Sequence, residues 1–357
     1  MSMKKLYLVI LISIAASGAY AQNSSCAQAV RLAQSVYDQG RLHELEDIIN
    51  KALNNPNALC EQSEKVSLLK LLTLTYIYLE EPEKADATML KLLQTDNYFQ
   101  INPAVDPAEF VALYNTFRTN EIYRIGATLG VNATQPNVTN TVSAVELAEG
   151  SKYRYAIAIL FGASVDVPLD PTDKLTLHGE LLYSQKKFNL ELITDRSLAG
   201  DGSITNQFQG VETQNWISLP LSMEYKLAEK KFNPFVSGGV VVDYLLNSKI
   251  KSEVLRTNTT SIQEATFNLN PQRVKTNISL QAGAGVKFQM GGGYFIARVW
   301  YTHGLTNVNS LETSYANEQA TWGQGYADPV YKISSLSLSG SYVINMFNPK
   351  KRTIKAK

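Results

Sequence analysis

The residue types that do acid–base, nucleophilic or metal chemistry are sparse in this chain. There are three histidines, His43, His178 and His303. No two stand at metal-ligand spacing, and no Cys-x-x-Cys accompanies them, so no metal or cofactor motif is present. His303 follows Thr302, a pairing that offers a hydroxyl and a base; a histidine at an interface is its plainer reading, and no catalytic residue is expected. Two cysteines, Cys26 and Cys60, both lie in the N-terminal part of the chain. In an exported protein their default is one disulfide, with two buried free thiols as the alternative. What remains is a scatter of charges, Arg124, Arg154, Glu180, Glu224, Asp243, Lys287 and Arg298. Their meaning depends on which element carries each one and which way it points.

The chain opens with Lys4 and Lys5, an apolar run from Leu6 to Ala16, and Ala19-Tyr20-Ala21 ahead of Gln22. That is the pattern of a secretory signal peptide over residues 1–21, too short for a membrane span. A lipid anchor at Cys26 is the rival reading, but Asn23-Ser24-Ser25 lacks the apolar residue such a site carries. The whole chain has 33 Lys+Arg against 32 Asp+Glu. Loss of Lys4 and Lys5 leaves the mature chain near −1, which gives no basic footprint for nucleic acid. No later stretch approaches 18 consecutive apolar residues, so no membrane-spanning helix is expected. That does not bear on barrels, which cross with alternating strands of about ten residues.

Residues 22–118 have a helical period. In Arg41–Leu53 the residues Leu42, Leu45, Ile48, Ile49, Ala52 and Leu53 share a face. The run Val66–Leu79 is apolar nearly all round and should be the central helix. Pro82 suits a first turn, and Asp106 with Pro107 reads as an N-cap followed by a first helical residue. Tyr76…Pro82-Glu83-Lys84-Ala85 and Tyr37-Asp38-Gln39-Gly40 resemble the turns of tetratricopeptide repeats. The region reads as a small helical domain of one to two degenerate repeats.

From residue 119 to 347 the period is two. Eight alternating segments appear, at about 122–133, 152–167, 174–188, 215–225, 234–248, 274–289, 294–304 and 331–347. In 274–289 the apolar set Val274, Ile278, Leu280, Ala282, Ala284, Val286 and Phe288 opposes Lys275, Asn277, Ser279, Gln281, Gly283, Gly285, Lys287 and Gln289. The connections alternate long and short: 134–151, 193–214, 249–273 and 305–330 against 168–173, 227–233 and 291–293. Sorted loops of this kind belong to membrane barrels, with short periplasmic turns and long external loops. Tyr155, Tyr183, Tyr244 and Tyr301 on the apolar face lie toward the long-loop end; Tyr123, Tyr225, Phe288, Phe295 and Tyr342 lie toward the short-turn end. Two aromatic belts suit two interfaces. The fold class expected is α+β: an eight-stranded antiparallel transmembrane β-barrel, preceded by a small periplasmic helical domain and followed by a basic tail over 348–357. The seven charges singled out above then point inward. An eight-stranded lumen is only wide enough for side chains, so they should form a salt-bridged plug, with His178 beside them; a gated ion path is the alternative. Pro220, inward by parity, should sit at a bulge or near a lumenal water.

The signal peptide, the eight strands and the core Ile217-Ser218-Leu219-Pro220-Leu221 together resemble the outer-membrane β-barrel proteins of Bacteroidota, including the PorT-like group. The resemblance covers about 120–347. It departs at the helical domain and at the end, where Phe347 is followed by ten more residues, Asn348–Lys357. Some small outer-membrane barrels act on lipid A with a serine and a histidine near the outer leaflet, and His303 is the candidate position for that here. The reading reached is a non-enzymatic protein that contacts outer-membrane lipid and docks a periplasmic or outer-membrane protein through its helical domain, within a secretion, uptake or motility assembly. A small channel is the alternative.

Overall fold

A computed structural model of the chain describes residues 25–56, 60–142, 152–170, 172–195, 205–228, 232–256, 263–324 and 326–352. The signal-peptide segment, 1–21, lies outside the described residues, as do 353–357 of the basic tail. The chain forms two compact units, one of residues 1–120 with 347–357 and one of 121–346.

The first unit holds helices α1 (Ser25–Asp38), α2 (Leu42–Leu53), α3 (Gln62–Tyr78), α4 (Pro82–Thr95) and α5 (Ala108–Asn115). The apolar run predicted to be central is so: α3 buries Leu68, Leu69, Leu71, Leu72, Leu74 and Tyr76. On one side they meet Val36, Leu45 and Ile49, and on the other Met89, Leu92, Leu93 and Phe110. The hairpins α1–α2 and α3–α4 turn at Gly40 (φ +74°) and Glu80 (φ +58°), and Pro82 starts α4 at its first turn. Asp106 does not cap α5, whose N-cap is Pro107. Its carboxylate instead accepts from Lys70 Nζ at 2.5 Å and from the Asn102 N–H at 2.7 Å. Burial raises its pKa, but these bonds and the Lys70 charge outweigh that and leave it below the usual range.

Cys26 and Cys60 are bonded, with Cα atoms 5.2 Å apart. Closing a loop of 34 residues stabilises by about 3–4 kcal/mol in the chain-entropy model. Cys60→Ser is therefore expected to make 25–118 protease-sensitive. The second unit has separate buried clusters, so its heat-modifiable gel shift should persist; loss of that shift in Cys60→Ser would show the two units to be energetically one.

The chain's end completes this first unit. Strand β1 (Phe117–Arg118) pairs antiparallel with β11 (Lys350–Lys351). The Arg352 N–H donates to Thr116 O at 2.7 Å, Arg118 donates to Asn348 O at 3.0 Å, and Lys351 pairs with Asp86. Phe347 packs edge-on against Tyr98, centroids 4.9 Å apart. The aromatic that the sequence placed at the barrel's end thus lies past the last barrel strand.

The second unit is built from β2 (Tyr123–Asn140), β3 (Lys152–Pro168), β4 (Leu175–Asp195), β5 (Thr205–Lys226), β6 (Phe232–Arg256), β7 (Gln263–Asn268), β8 (Thr276–Met290), β9 (Gly293–Gly304) and β10 (Val330–Met346). All pairings are antiparallel. Eight strands close a ring, β2-β3-β4-β5-β6-β8-β9-β10 and back to β2, while β7 pairs with the far part of β6. The short turns are tight. Gly291 takes φ +57° between Met290 and its partner Gly293. Asp170 accepts from the Thr172 side chain and from the Leu175 N–H at 2.7 Å. The Thr172 bond first, then the Leu175 bond, draws its carboxyl down to about 2.

Three of the long connections are shorter than the sequence suggested: β2 runs to Asn140, seven residues into 134–151. β5 begins at Thr205 and β6 runs to Arg256, so much of 193–214 and 249–273 is strand. β6 has 25 residues, over twice the ~9–11 that a tilted strand needs to cross a membrane. The faces change chemistry along the way. Near the short turns the outward face is apolar: Ile125, Leu129, Ile157, Leu181, Leu219, Val240, Leu280 and Leu338 are all exposed. Beyond Tyr183 and Tyr244 the outward residues are Lys187, Asn189, Gln209, Thr213, Lys249 and Lys251, and the inward ones are Phe188, Leu190, Phe208, Ile250 and Val254. A ring apolar outside and polar inside thus becomes a sheet polar outside and apolar inside, with one chain serving two solvents. The connection 305–329 supplies Val308, Ala320 and Tyr326 to that inward apolar cluster and caps it.

Pro220 is buried and pairs in register with Val241. No bulge falls on it; the nearest register shift is at Asn215/Trp216. On the β4 side the ladder is open between the pairs Gly179–Leu221 and Leu182–Ser218, opposite Glu180. The missing N–H is absorbed by this gap. Pro220 also lines a lumenal cavity of about 30 Å³, above the ~10–15 Å³ that one water requires.

Candidate functional site: the filled lumen

The inward face of the ring is where the sequence-predicted charges can be tested. At the short-turn end, Arg124 on β2 is fully buried. It pairs with Glu121 at 2.5 Å and Asp173 at 2.8 Å, its guanidinium 5.0 Å from the Tyr294 ring centroid. Above it Phe235, Ile296 and Val343 form an apolar layer with Tyr294.

A charged layer draws on β3, β4, β5, β8 and β9. Arg298 donates to Glu224 at 2.5 Å and to Glu180 at 3.4 Å. Lys287 reaches Glu224 at 2.8 Å. His178 Nδ1 lies 2.5 Å from Asp166; its Nε2 is 3.3 Å from Glu180 but not aligned to bond it. Thr128 donates to Glu180 at 3.0 Å. Three carboxylates thus face Lys287, Arg298 and the His178 ring, all less than a tenth exposed. The cations also stand over the Phe235 ring, at 5.2 Å for Lys287 and 5.5 Å for Arg298.

Next come Leu160, Leu182 and Trp300, packed together inside the lumen. Beyond them Asp243 takes Lys186 at 2.6 Å and Ser218 at 2.5 Å, with Lys186 5.2 Å from the Trp216 ring. Last is a cluster beneath the cap. Arg273 is fully buried between Glu212, 2.8 Å away, and Asp328. Tyr331 donates to Glu212 at 3.0 Å, Tyr326 to Asp328 at 3.0 Å, and Asn309 to Asp328 at 3.1 Å. Burial pushes the Asp328 carboxyl above the usual carboxylate range, against the pull of Arg273.

The structure therefore brings Glu180, Glu224, Lys287 and Arg298 into one group. Arg124 and Asp243 have separate partners of their own. Arg154 does not join them. Its side chain is 60% exposed and lies 3.5 Å from Glu191. The cause is a register shift between Ala156 and Leu160 in the β3–β4 ladder: one extra residue breaks the alternation for the part of β3 before it, where Arg154 and Tyr155 are both exposed. Tyr153 goes in and Arg154 out. Sequence reading missed Asp166 and Lys186, which had the right parity, and Glu212, Arg273 and Asp328, which stood in apparent loops.

The arrangement offers little chemistry. His303 is exposed on the outward face, stacked on Tyr301; its Nδ1 is 3.2 Å from Ser334 Oγ, which also takes Asn137 at 2.6 Å. No carboxylate pairs with His303 among the described residues, and Thr302 beside it points inward and is buried. His43 is exposed on α2. Cys26, Cys60 and Glu64 cluster within 4.8 Å, but the two sulfurs are bonded to each other and are not thiolates.

A model of the outer membrane protein beta-barrel domain matches residues 116–310, more than half of the chain. The chain belongs to this family of outer-membrane β-barrels. The barrel accordingly sits in the outer membrane, its outward apolar band against lipid. No curated protein matches it. Among solved structures, the outer membrane protein AlkL in lipid bilayers is 12% identical, covers 70% of this chain and 99% of its own, and superposes with a TM-score of 0.35. OprG of Pseudomonas aeruginosa is 12% identical over 63% of this chain and 98% of its own, TM-score 0.30. Neisserial surface protein A is 11% identical over 63% and 97%, TM-score 0.28. None of these likenesses bears on what this outer-membrane barrel does.

Proposed function

We propose that this barrel is a closed anchor and that its work is done by the helical unit, held in the periplasm, where it docks a protein partner of an envelope assembly serving secretion, uptake or motility. The observation that carries this is the filling of the lumen by alternating layers. Phe235, Ile296 and Val343, then Leu160, Leu182 and Trp300, are apolar plugs, and the 305–329 connection caps the far end. Apolar constrictions exclude ions by dewetting. The orientation rests on topology: eight crossings return both ends of the chain to one side, the side of the short turns, which is periplasmic in such barrels. The helical hairpins with positive-φ turns support a degenerate tetratricopeptide-like unit. The Ile217–Leu221 core within β5 supports a place near the PorT-like group.

A small channel is the second reading. It is favoured by buried inward polar atoms without a hydrogen-bond partner among the described residues, such as Ser164 Oγ, Ser222 Oγ, Ser237 Oγ, Gln281 Oε1 and Ser339 Oγ, which water would hydrate. Single-channel recording of the full chain separates the readings. The anchor predicts no unitary steps, and external protease on intact cells that spares 25–118 while cutting nearer the capped end. Reproducible steps, or cleavage of the helical unit in sealed cells, would overturn it.

A further inference from the structure

The outward face just past the apolar band is charged in strata, and only at the capped end. Above the Tyr183–Ile217–Tyr244 row comes a neutral amide row, Gln185–Asn215–Asn247; the first charged row is Lys187–Thr213–Lys249, and the next is Arg154–Asn189–Val211–Lys251. Neither contains an acid. The third row, Lys152–Glu191–Gln209–Glu253–Glu264, is where the carboxylates begin. At the other end of the band the turns mix signs, with Asp170, Asp173, Lys174 and Lys226 together. Lys187 and Lys249 have no ion-pair partner among the described residues. Arg154 pairs with the half-buried Glu191 at 3.5 Å, and Lys251 with the exposed Glu264 at 3.4 Å.

We propose that these four cations bind phosphate-bearing headgroups of the lipid leaflet in which the capped end of the barrel stands. Four residues separate Tyr183 from Lys187, about 13 Å along the strand and about 10 Å along the membrane normal at a tilt of 35–45°. The headgroup layer is about 5–8 Å deep, and a lysine stem reaches down several ångströms to place its ammonium there. Arg154 owes its outward position to the β3 register shift, so the irregularity that removed it from the lumen puts it on this face. A concavity of about 380 Å³ between the second and third rows has Arg154, Lys251 and the amide of Asn189 on its membrane side and Lys152, Glu191 and Glu253 on its far side, which gives a headgroup room beside the cations. The occupant is lipid rather than a soluble anion because the cation rows lie next to the bilayer and the acids lie away from it; a site for solution anions would not be stratified by depth.

The proposal rests on the outer-membrane placement and, for naming the leaflet, on the orientation proposed above. The test is independent of orientation. The full chain is reconstituted in symmetric phosphatidylcholine vesicles with a trace of fluorescent phosphatidic acid or fluorescent phosphatidylcholine, and energy transfer from its tryptophans gives the relative association of the two lipids. Each basic residue near an anionic surface is worth about fivefold, so a preference of fivefold or more for phosphatidic acid is expected, falling at high salt. Lys187→Gln/Lys249→Gln/Arg154→Gln/Lys251→Gln should bring it near one, while arginine at the three lysine positions keeps it. Glu191→Gln/Glu253→Gln/Glu264→Gln, one row away, should leave it unchanged or raise it. Heat-modifiable mobility verifies that each variant is folded. No preference in the unaltered chain, an unchanged preference in the quadruple glutamine variant, indifference to salt, or displacement of the labelled lipid by millimolar inorganic phosphate would each overturn the proposal. Protease mapping on intact cells fails or succeeds separately and reports on the orientation alone.

Discussion

Arg273→Met is expected to unfold the cap of the barrel while leaving the membrane-crossing ring intact. Arg273 is buried completely, and so are its two partners Glu212 and Asp328. Removing the one cation leaves two carboxylates that no water reaches, at a cost of about 3–5 kcal/mol. The cluster ties together β5 through Glu212, the segment before β8 through Arg273, the 305–329 connection through Asn309 and Asp328, and β10 through Tyr331. Its loss releases the connection from the apolar cluster it covers. The measurement is limited proteolysis in detergent: Arg273→Met should be cut within 305–329, where the unaltered chain resists, and should keep its heat-modifiable shift. The triple variant Arg273→Met/Glu212→Gln/Asp328→Asn should recover much of the resistance, because a neutral set of similar volume incurs far less desolvation. Resistance in Arg273→Met equal to that of the unaltered chain would mean that the hydroxyls of Tyr326, Tyr331 and Ser248 suffice to hold the carboxylates.

How much of this was legible beforehand follows from which solvent each stretch meets. The eight strands were readable because period two with a strict outward apolar set persists across every crossing, as in Thr276–Met290. The bonding of Cys26 to Cys60 followed from export. The upper halves of β5 and β6 were misread as loops because the rule reverses there. Gln209 and Thr213 look like loop residues until it is seen that the opposite face of the same stretch, Phe208 and Trp216, is core. An alternating pattern in water carries its apolar residues inward, and a reading tuned to lipid searches for them on the wrong face. Arg154 was misplaced for a different reason. A one-residue register shift leaves no mark in composition, and parity counted from Val165 runs through it unaltered. Asp166 and Lys186 had the right parity and gave no other signal. Their importance comes from the partners that ring closure delivers, His178 for the first and Asp243 for the second, and closure is not written in any single strand.

The contrast between the two misjudged and rightly judged arginines leads to the other large effect. Arg298→Met should destabilise the barrel by about 3–5 kcal/mol, because Glu180 and Glu224 keep their burial and lose their shared guanidinium. Lys287 remains on Glu224, but among the described residues only the His178 ring and the Thr128 hydroxyl then lie against Glu180. Arg154→Met, by comparison, removes a surface pair in which the arginine is exposed and 3.5 Å from Glu191, and surface pairs are worth about 0–1 kcal/mol. Urea unfolding of the full chain in micelles should show the midpoint falling several-fold further for Arg298→Met than for Arg154→Met. Pairing the substitution with Glu224→Gln should restore part of the loss, since it removes one of the stranded charges. Equal shifts for the two arginines would return Arg154 to the lumen and overturn the register assigned to β3. The same variant decides what closes the barrel. Leu160, Leu182 and Trp300 are untouched by it, so conductance should stay at background even with the charged layer broken. Current through Arg298→Met would place the seal in the ion pairs instead, and the barrel would then be a gated path rather than an anchor.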